Sequence, residues 1–234
     1  MSAGQASAGP PDTGQARLDP EVSARVAMLI HGFLRTGASM GLLAARLKAA
    51  GYTEILRPTF GYHLRPLEQN AERAVRLLTA LRERYPDATI DIVTHSMGGL
   101  LTRAALGLPD APQVRRVVML SPPNQGAQMA ARARALLPVH RLGWDPLHQL
   151  LPGVPSLHPL PTAEVGVLTG GTGLPRGYNA LLGADNDLMV RVDEAHLPGA
   201  TDFHVVPVPH AMMPFHGLVS RQVLSFLNEG RFLR

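Results

Sequence analysis

One serine in this chain of 234 residues has neighbours that suit a nucleophile. Residues 94–98 read Thr-His-Ser-Met-Gly, and Gly99 follows them. An apolar run leads into this segment and a helical pattern leads out of it. We therefore expect Ser96 on a sharp strand-to-helix turn, which needs small neighbours such as Gly98. The alternative is that Ser96 only caps the helix that follows it.

A serine hydroxyl is a weak nucleophile until a base takes its proton, so a histidine must lie nearby. His95 is adjacent in sequence, but we expect its side chain to leave the turn in another direction. We interpret it as a structural residue that is hydrogen-bonded under the sheet. The base must therefore come from another part of the chain.

Four further segments make the chain resemble α/β-hydrolases of the bacterial lipase and esterase type. The resemblance covers residues 26–230 and is strongest at the serine turn, although Thr94 replaces the first glycine of that motif. It is weakest at residues 127–162. The four segments are Leu-Ile-His-Gly-Phe at 29–33, Ser-Pro-Pro-Asn-Gln-Gly at 121–126, Asn-Asp-Leu-Met-Val at 186–190, with Leu188 in the place of a family glycine, and Pro-His-Ala-Met-Met at 209–213.

The resemblance implies that the catalytic residues follow the chain order serine, acid, histidine. His210 comes directly after the last predicted strand, where side chains reach the carboxyl edge of a parallel sheet. We favour His210 as the base for that reason. His216, at the start of the closing helix, is the alternative.

The acid is expected in the long loop after the fifth predicted strand. Asp187 matches the family loop and precedes the apolar residues 188–190, which can bury and orient its carboxylate. Asp185 is the alternative. Asp193 and Glu194 are interpreted as a solvated turn.

The resemblance also implies an oxyanion hole, in which two backbone N–H groups meet the negative charge that develops on the substrate oxygen. These N–H groups belong to Phe33 and Met97, and the supporting residues are His31, Gly32 and Gly98. The alternative for His31 and Gly32 is an ordinary turn at the end of a strand.

Apolar runs alternate with helical patterns and predict an α/β fold, with a mostly parallel sheet of about six strands and helices on both faces. Residues 1–22 are predicted to be a flexible tail, and residues 23–234 a single hydrolase domain. Residues 127–162 show no clean period and are predicted to form a small lid over the site. The strands are expected at 26–30, 53–59, 89–94, 114–120, 165–169 and 203–208.

The composition excludes several other classes of protein. Hydrophobic residues make up 45% of the chain, which excludes disorder throughout, and the lack of cysteine excludes a disulfide scaffold. The net charge of +4 comes from arginines scattered among acids, so no nucleic-acid surface is predicted. No apolar run has the length of a membrane span, and the start lacks the core of a signal peptide, so we expect a cytoplasmic protein.

The histidine spacings fit no metal site, and we expect no cofactor.

These features predict a serine hydrolase that cleaves carboxylic esters through an acyl-enzyme. The expected partners are small-molecule esters, including lipid-like ones, with short to medium acyl chains. One alternative is an acyltransferase or thioesterase that uses the same three residues. Another is a protein of this fold that binds a hydrophobic small molecule without catalysis.

Overall fold

A six-stranded parallel sheet forms the centre of the chain in the computed structural model, which describes residues 24–62, 64–136, 145, 147–157 and 161–234. Every pair of neighbouring strands is parallel, so the predicted sheet is confirmed. The spatial order is β2-β1-β3-β4-β5-β6. The strands are β1 (Arg25–Ile30), β2 (Glu54–Leu56), β3 (Thr89–His95), β4 (Arg116–Leu120), β5 (Glu164–Gly170) and β6 (Asp202–Val206).

Helices cover both faces of the sheet, as predicted. The first and last helices pack on one face, and the second and third pack on the other. The helices are α1 (Gly41–Ala49), α2 (Leu67–Arg84), α3 (Met97–Leu106), α4 (Gln128–Leu136), α5 (Val192–Ala195) and α6 (Gly217–Glu229). The predicted tail at 1–22 lies outside the described residues, as do residues 137–144, 146 and 158–160 of the predicted lid.

The second strand is shorter than the predicted 53–59. It pairs with β1 over three residues and then leaves the sheet edge, where Pro58 has no N–H to donate. The next residues instead pack over the loop that follows β1, since the backbone N–H of Phe60 donates to His31 Nε2 at 2.8 Å and that of Gly37 donates to Thr59 Oγ1 at 3.0 Å. Because β2 ends early, these two hydrogen bonds can form, and they fix the position of the loop after β1.

Helix α4 was not predicted, because its sequence lacks an obvious apolar stripe. Residues 128–136 read Gln-Met-Ala-Ala-Arg-Ala-Arg-Ala-Leu, and alanine and arginine have high helix propensity without marking a face. The start of the helix is also stabilised by a residue distant in sequence, because Glu194 Oε1 accepts the N–H of Gln128 at 2.7 Å. Glu194 is therefore buried rather than part of a solvated turn, which corrects the sequence-based interpretation.

A buried ionic network lies at the other end of the sheet from the candidate site. Asp91 on β3 is fully buried and accepts two hydrogen bonds from Arg115, at 3.0 and 2.5 Å. Tyr52 donates to the same carboxylate at 2.6 Å, and burial raises the pKa of that phenol well above its usual value. Arg115 also donates to the carbonyl of Leu227 in α6 at 2.7 Å, so the network joins the sheet to the last helix.

Replacing Asp91 should therefore destabilise the protein strongly. We expect Asp91→Ala to lower the free energy of unfolding by about 3 kcal/mol, because it leaves a partly buried guanidinium and a buried phenol without their acceptor. Urea denaturation measures the change. The control is Glu72→Ala, which breaks an exposed ion pair with Arg76 on α2 and should cost less than about 0.5 kcal/mol. Equal losses in the two variants would contradict the structural role of Asp91.

Candidate active site

Ser96 lies on the turn between β3 and α3 in a strained backbone conformation. Its φ of 53° and ψ of −125° are rare for a residue with a side chain. The tight turn requires Gly98, since a Cβ there would lie 2.7 Å from the carbonyl oxygen of Ile30. The side chain of Ser96 makes no capping hydrogen bond to α3, so it does not serve as the helix cap that sequence allowed as an alternative.

Asp187 and His210 form a hydrogen-bonded pair in which the aspartate is buried and the histidine partly buried. His210 begins a short 3-10 turn after β6, and its Nδ1 lies 2.7 Å from Asp187 Oδ2. A carboxylate only accepts hydrogen bonds, so Nδ1 carries the proton and Nε2 is left with a lone pair. The backbone N–H of His210 also donates to the carbonyl of Asp187 at 2.8 Å, which fixes the histidine at a second point.

The loop around Asp187 buries this residue and orients its carboxylate. Asp187 is fully buried, and its Oδ1 accepts the N–H groups of Met189 and Val190 at 3.0 and 2.8 Å. The turn needs a φ of 95° at Leu188, the position that is a glycine in the resembling family. Asn186 supports this strained turn, because its buried side-chain oxygen accepts the N–H of Leu188 at 3.0 Å. Sequence reasoning gave Asn186 no role.

Asp185 and His216, the alternative acid and base, make hydrogen bonds with other parts of the structure. Asp185 accepts N–H groups from Thr172 and Gly173 at 2.8 and 2.9 Å, and it makes no contact with His210. Burial alone would raise the pKa of Asp185, but these hydrogen bonds outweigh it and lower the pKa. His216 is exposed and accepts the N–H of Leu218 at 3.2 Å, so it caps α6.

The loop after β1 holds its peptide groups in fixed directions. His31 Nε2 accepts the N–H of Phe60, so Nδ1 carries the proton and donates to the carbonyl of Gly32 at 2.8 Å. Burial lowers the pKa of His31 and keeps it neutral. The Gly32 carbonyl points toward the His31 ring, and the next N–H, that of Phe33, therefore points the other way across the trans peptide.

The N–H groups of Phe33 and Met97 are free to bind a ligand. Within the described part of the chain, neither has a hydrogen-bond acceptor. The two loops also touch, since a Cβ on Gly32 would lie 2.9 Å from Ser96 Cβ. The sequence-predicted residues Ser96, Phe33 and Met97 are thus brought together at the carboxyl end of the sheet.

A cavity of about 460 Å³ opens above Ser96 and His210, a volume typical of small-molecule sites. Both residues line it, although no hydrogen bond joins Ser96 to the imidazole. One wall comes from α4 and the segment after it. The apolar residues of that wall are Ala127, Met129, Ala130, Ala133, Leu147 and Leu150.

His95 contacts His210 rather than lying under the sheet, which corrects the sequence-based expectation. Its Nε2 donates to the carbonyl oxygen of His210 at 3.0 Å, and the two rings lie 4.7 Å apart. Burial, followed by the nearby charge of His210, holds the pKa of His95 well below its usual value. His95 therefore stays neutral and supports the backbone of the residue beside it.

This burial predicts a loss of stability in mild acid. The unfolded chain protonates its histidines below about pH 6.5, whereas folded His95 and His31 resist protonation, so the unfolded state binds more protons. The free energy of unfolding should fall as pH drops from about 7.5 to about 5.5, by at most about 1.4 kcal/mol per pH unit for each histidine. Urea denaturation at both pH values checks this. His95→Gln should have a shallower slope, and an unchanged slope would contradict the argument.

The described residues hold no group of three histidine, aspartate or glutamate side chains that suits a metal ion. None of the helices in the described ranges combines the length and apolar character that crossing a bilayer requires.

Residues 4–153 match a protein family described as a domain of unknown function, DUF7379, and this match spans more than half of the chain. The chain belongs to the DUF7379 family. The matched region of this DUF7379 protein contains Ser96 and the loop after β1, whereas Asp187 and His210 lie beyond it. No curated protein matches the chain in sequence.

Several solved structures are similar to this DUF7379 protein. The lipase BlEst2 of Bacillus licheniformis, in its mature form, has a TM-score of 0.71 and 18% identity, covering 92% of this chain and 95% of the lipase chain. The metagenomic carboxyl esterase MGS0156 has a TM-score of 0.67 and 21% identity, covering 89% and 71%. The esterase PF2001 of Pyrococcus furiosus has a TM-score of 0.58 and 18% identity, covering 88% and 82%. At these identities the likeness establishes the fold, and the DUF7379 protein has the predicted α/β-hydrolase fold.

Proposed function

We propose that this protein is a serine hydrolase that cleaves carboxylic esters through an acyl-enzyme. The observation that carries the proposal is the Asp187–His210 pair, whose histidine lines the same cavity as a serine held on a strained turn. A protein that only binds a ligand has no need for a carboxylate that fixes the tautomer of a neighbouring histidine.

In the first half of the reaction Ser96 Oγ attacks the carbonyl carbon of the ester. His210 Nε2 takes the hydroxyl proton and then gives it to the departing alcohol. Asp187 stays ionised, holds the ring in place and stabilises the imidazolium. The second half repeats these steps with water in place of serine, releasing the acid and restoring Ser96.

Charge develops on the carbonyl oxygen during both attacks. The free N–H groups of Phe33 and Met97 stabilise it, because they are already oriented before the substrate arrives. His31 contributes by fixing the peptide between Gly32 and Phe33, and Gly98 by letting the turn approach the end of β1 closely.

The segment 127–162 is assigned to the wall and cover of the acyl site. In the described part of this segment, three alanines of small volume face the cavity at helical spacing, at positions 127, 130 and 133. Their small side chains leave room for hydrocarbon, and Leu147 and Leu150 add larger apolar side chains to the lining. This wall is the reason to expect acyl chains longer than acetate.

A fluorophosphonate probe and a panel of p-nitrophenyl esters from acetate to palmitate test the proposed function. The probe should label Ser96, and turnover should peak at short to medium chains. No labelling together with no turnover would favour the non-catalytic alternative. Labelling with product formed only on added alcohols or thiols, or from thioesters, would favour the acyltransferase or thioesterase alternative.

A larger side chain on the cavity wall should shift this preference for acyl-chain length. We expect Ala130→Leu to lower the kcat/KM ratio of hexanoate to acetate about tenfold, because each methylene that loses its burial costs about 0.8 kcal/mol. Ala135→Leu is the matched control, since Ala135 is on the same helix, is exposed and does not line the cavity. Equal ratios in the two variants would show that the acyl chain binds elsewhere.

A further inference from the structure

We infer that Arg35 binds a carboxylate on the substrate, so that the preferred esters carry one anionic group near the scissile bond. This inference rests on the proposed ester hydrolysis and names the class of ester. Arg35 lies two residues after Phe33, whose N–H faces the site, and its side chain lines the same cavity as Ser96 and His210.

The backbone directs Arg35 toward the cavity mouth. Leu34 has a φ of 53°, and the N–H of Arg35 donates to the carbonyl of Gly32 at 3.2 Å, closing a tight turn. The same Gly32 carbonyl accepts from His31, so the turn that carries Arg35 is anchored to a buried residue. The backbone from which the Arg35 side chain extends is therefore fixed two residues after the free N–H of Phe33.

The charge of Arg35 has no counter-ion among the described residues. Its guanidinium makes no hydrogen bond or ion pair there, and no aspartate or glutamate lines the cavity. Asp187 is buried behind His210, and its carboxylate is occupied by that ring and two N–H groups.

The free cation also bears on the reaction. Burial is the main cause of the lowered pKa of His95, its closeness to His210 comes next, and the charge of Arg35 lowers the pKa further. A cation in this position opposes the imidazolium that forms on His210. An anion bound to Arg35 offsets that cost, so an anionic ester gains in binding and in turnover.

A single exposed guanidinium at a mostly apolar cavity suits a monoanion. Arginine binds a carboxylate through two parallel hydrogen bonds, and the apolar wall suits the hydrocarbon of the same molecule. A carboxylate on the acyl chain and a carboxylate on the alcohol offer Arg35 the same two acceptor oxygens. The chemistry that Arg35 recognises is the same in the two cases.

Two pairs of substrates test the inference and separate the two sources. The acyl pair is the mono-p-nitrophenyl ester of adipic acid against p-nitrophenyl hexanoate, and the alcohol pair is 4-carboxyphenyl butyrate against 4-carbamoylphenyl butyrate. The wild-type enzyme should favour the anionic member of one pair. Arg35→Ala should lower that ratio of kcat/KM about tenfold, Arg35→Glu should lower it further, and added salt should weaken the preference.

Arg76→Ala is the matched control, because Arg76 is exposed on α2 and does not line the cavity. The ratios of this variant should equal those of the wild-type enzyme. Turnover of neutral esters without an anionic preference would overturn the inference and leave ester hydrolysis standing. Equal losses on both members of each pair in Arg35→Ala would also overturn it. No turnover of any ester, with no labelling of Ser96, would overturn the proposed function itself.

Discussion

Ser96→Ala should reduce ester turnover by at least about a thousandfold and leave the fold intact. Removal of a nucleophile normally costs several orders of magnitude, because the remaining site offers only binding and oxyanion stabilisation. Ester hydrolysis measures the loss, and the thermal unfolding midpoint checks the fold. Ser39→Ala is the control, since Ser39 only donates to the carbonyl of Thr36 away from the cavity. Activity that survives within about tenfold would show that another residue is the nucleophile.

His210→Ala should be nearly as damaging as Ser96→Ala, although it leaves the nucleophile in place. Without the imidazole there is no base to take the serine proton, and the Asp187 carboxylate loses its partner. The double variant Ser96→Ala with His210→Ala should lose little more than either single variant, because such residues act as a unit.

His216→Ala distinguishes the two candidate bases. It removes a helix cap, so it should cost about 1 kcal/mol of stability and leave most of the turnover. Parallel kinetics on the two histidine variants provide the measurement. A larger loss of turnover in His216→Ala than in His210→Ala would move the base to the start of α6.

The strands could be predicted from sequence because they are buried runs in a parallel sheet. Residues such as Val26 to Ile30 are apolar throughout, and a run of this kind signals its position without any knowledge of its neighbours. The ends were less certain at β2, where Pro58 and the contact of Phe60 with His31 draw the chain out of the sheet. That contact joins residues 29 positions apart, and no local pattern encodes it.

The site was predictable where chemistry needs a particular residue at a particular strand end. Ser96 and His210 follow β3 and β6, and these positions, together with the motif around Ser96 and the family resemblance, suggested their roles. Strand position alone does not distinguish Asp187 from Asp185. The choice depends on which carboxylate turns toward the histidine and which toward Thr172.

Other contacts of the site had no sequence signal. The hydrogen bond from His95 to the carbonyl of His210 spans 115 positions in the chain. The partnership of Glu194 with α4 joins two segments that sequence analysis had treated as a solvated turn and an irregular lid. Both depend on how loops fold back over the sheet, which local residue patterns do not record.

Glu194 has a consequence for how the site can be altered. It follows the Asp187 loop by a few residues, accepts the N–H of Arg191 beside it and also holds the first turn of α4. Asn124, just before α4, donates to the carbonyl of Ala195 at 2.9 Å and ties the same two segments again. The cavity wall formed by α4 and the loop that carries the proposed acid, Asp187, are therefore held together by these hydrogen bonds. Exchanging α4 for a different wall in order to accept new substrates requires that residue 194 remain a carboxylate, or the exchange will displace the acid as well.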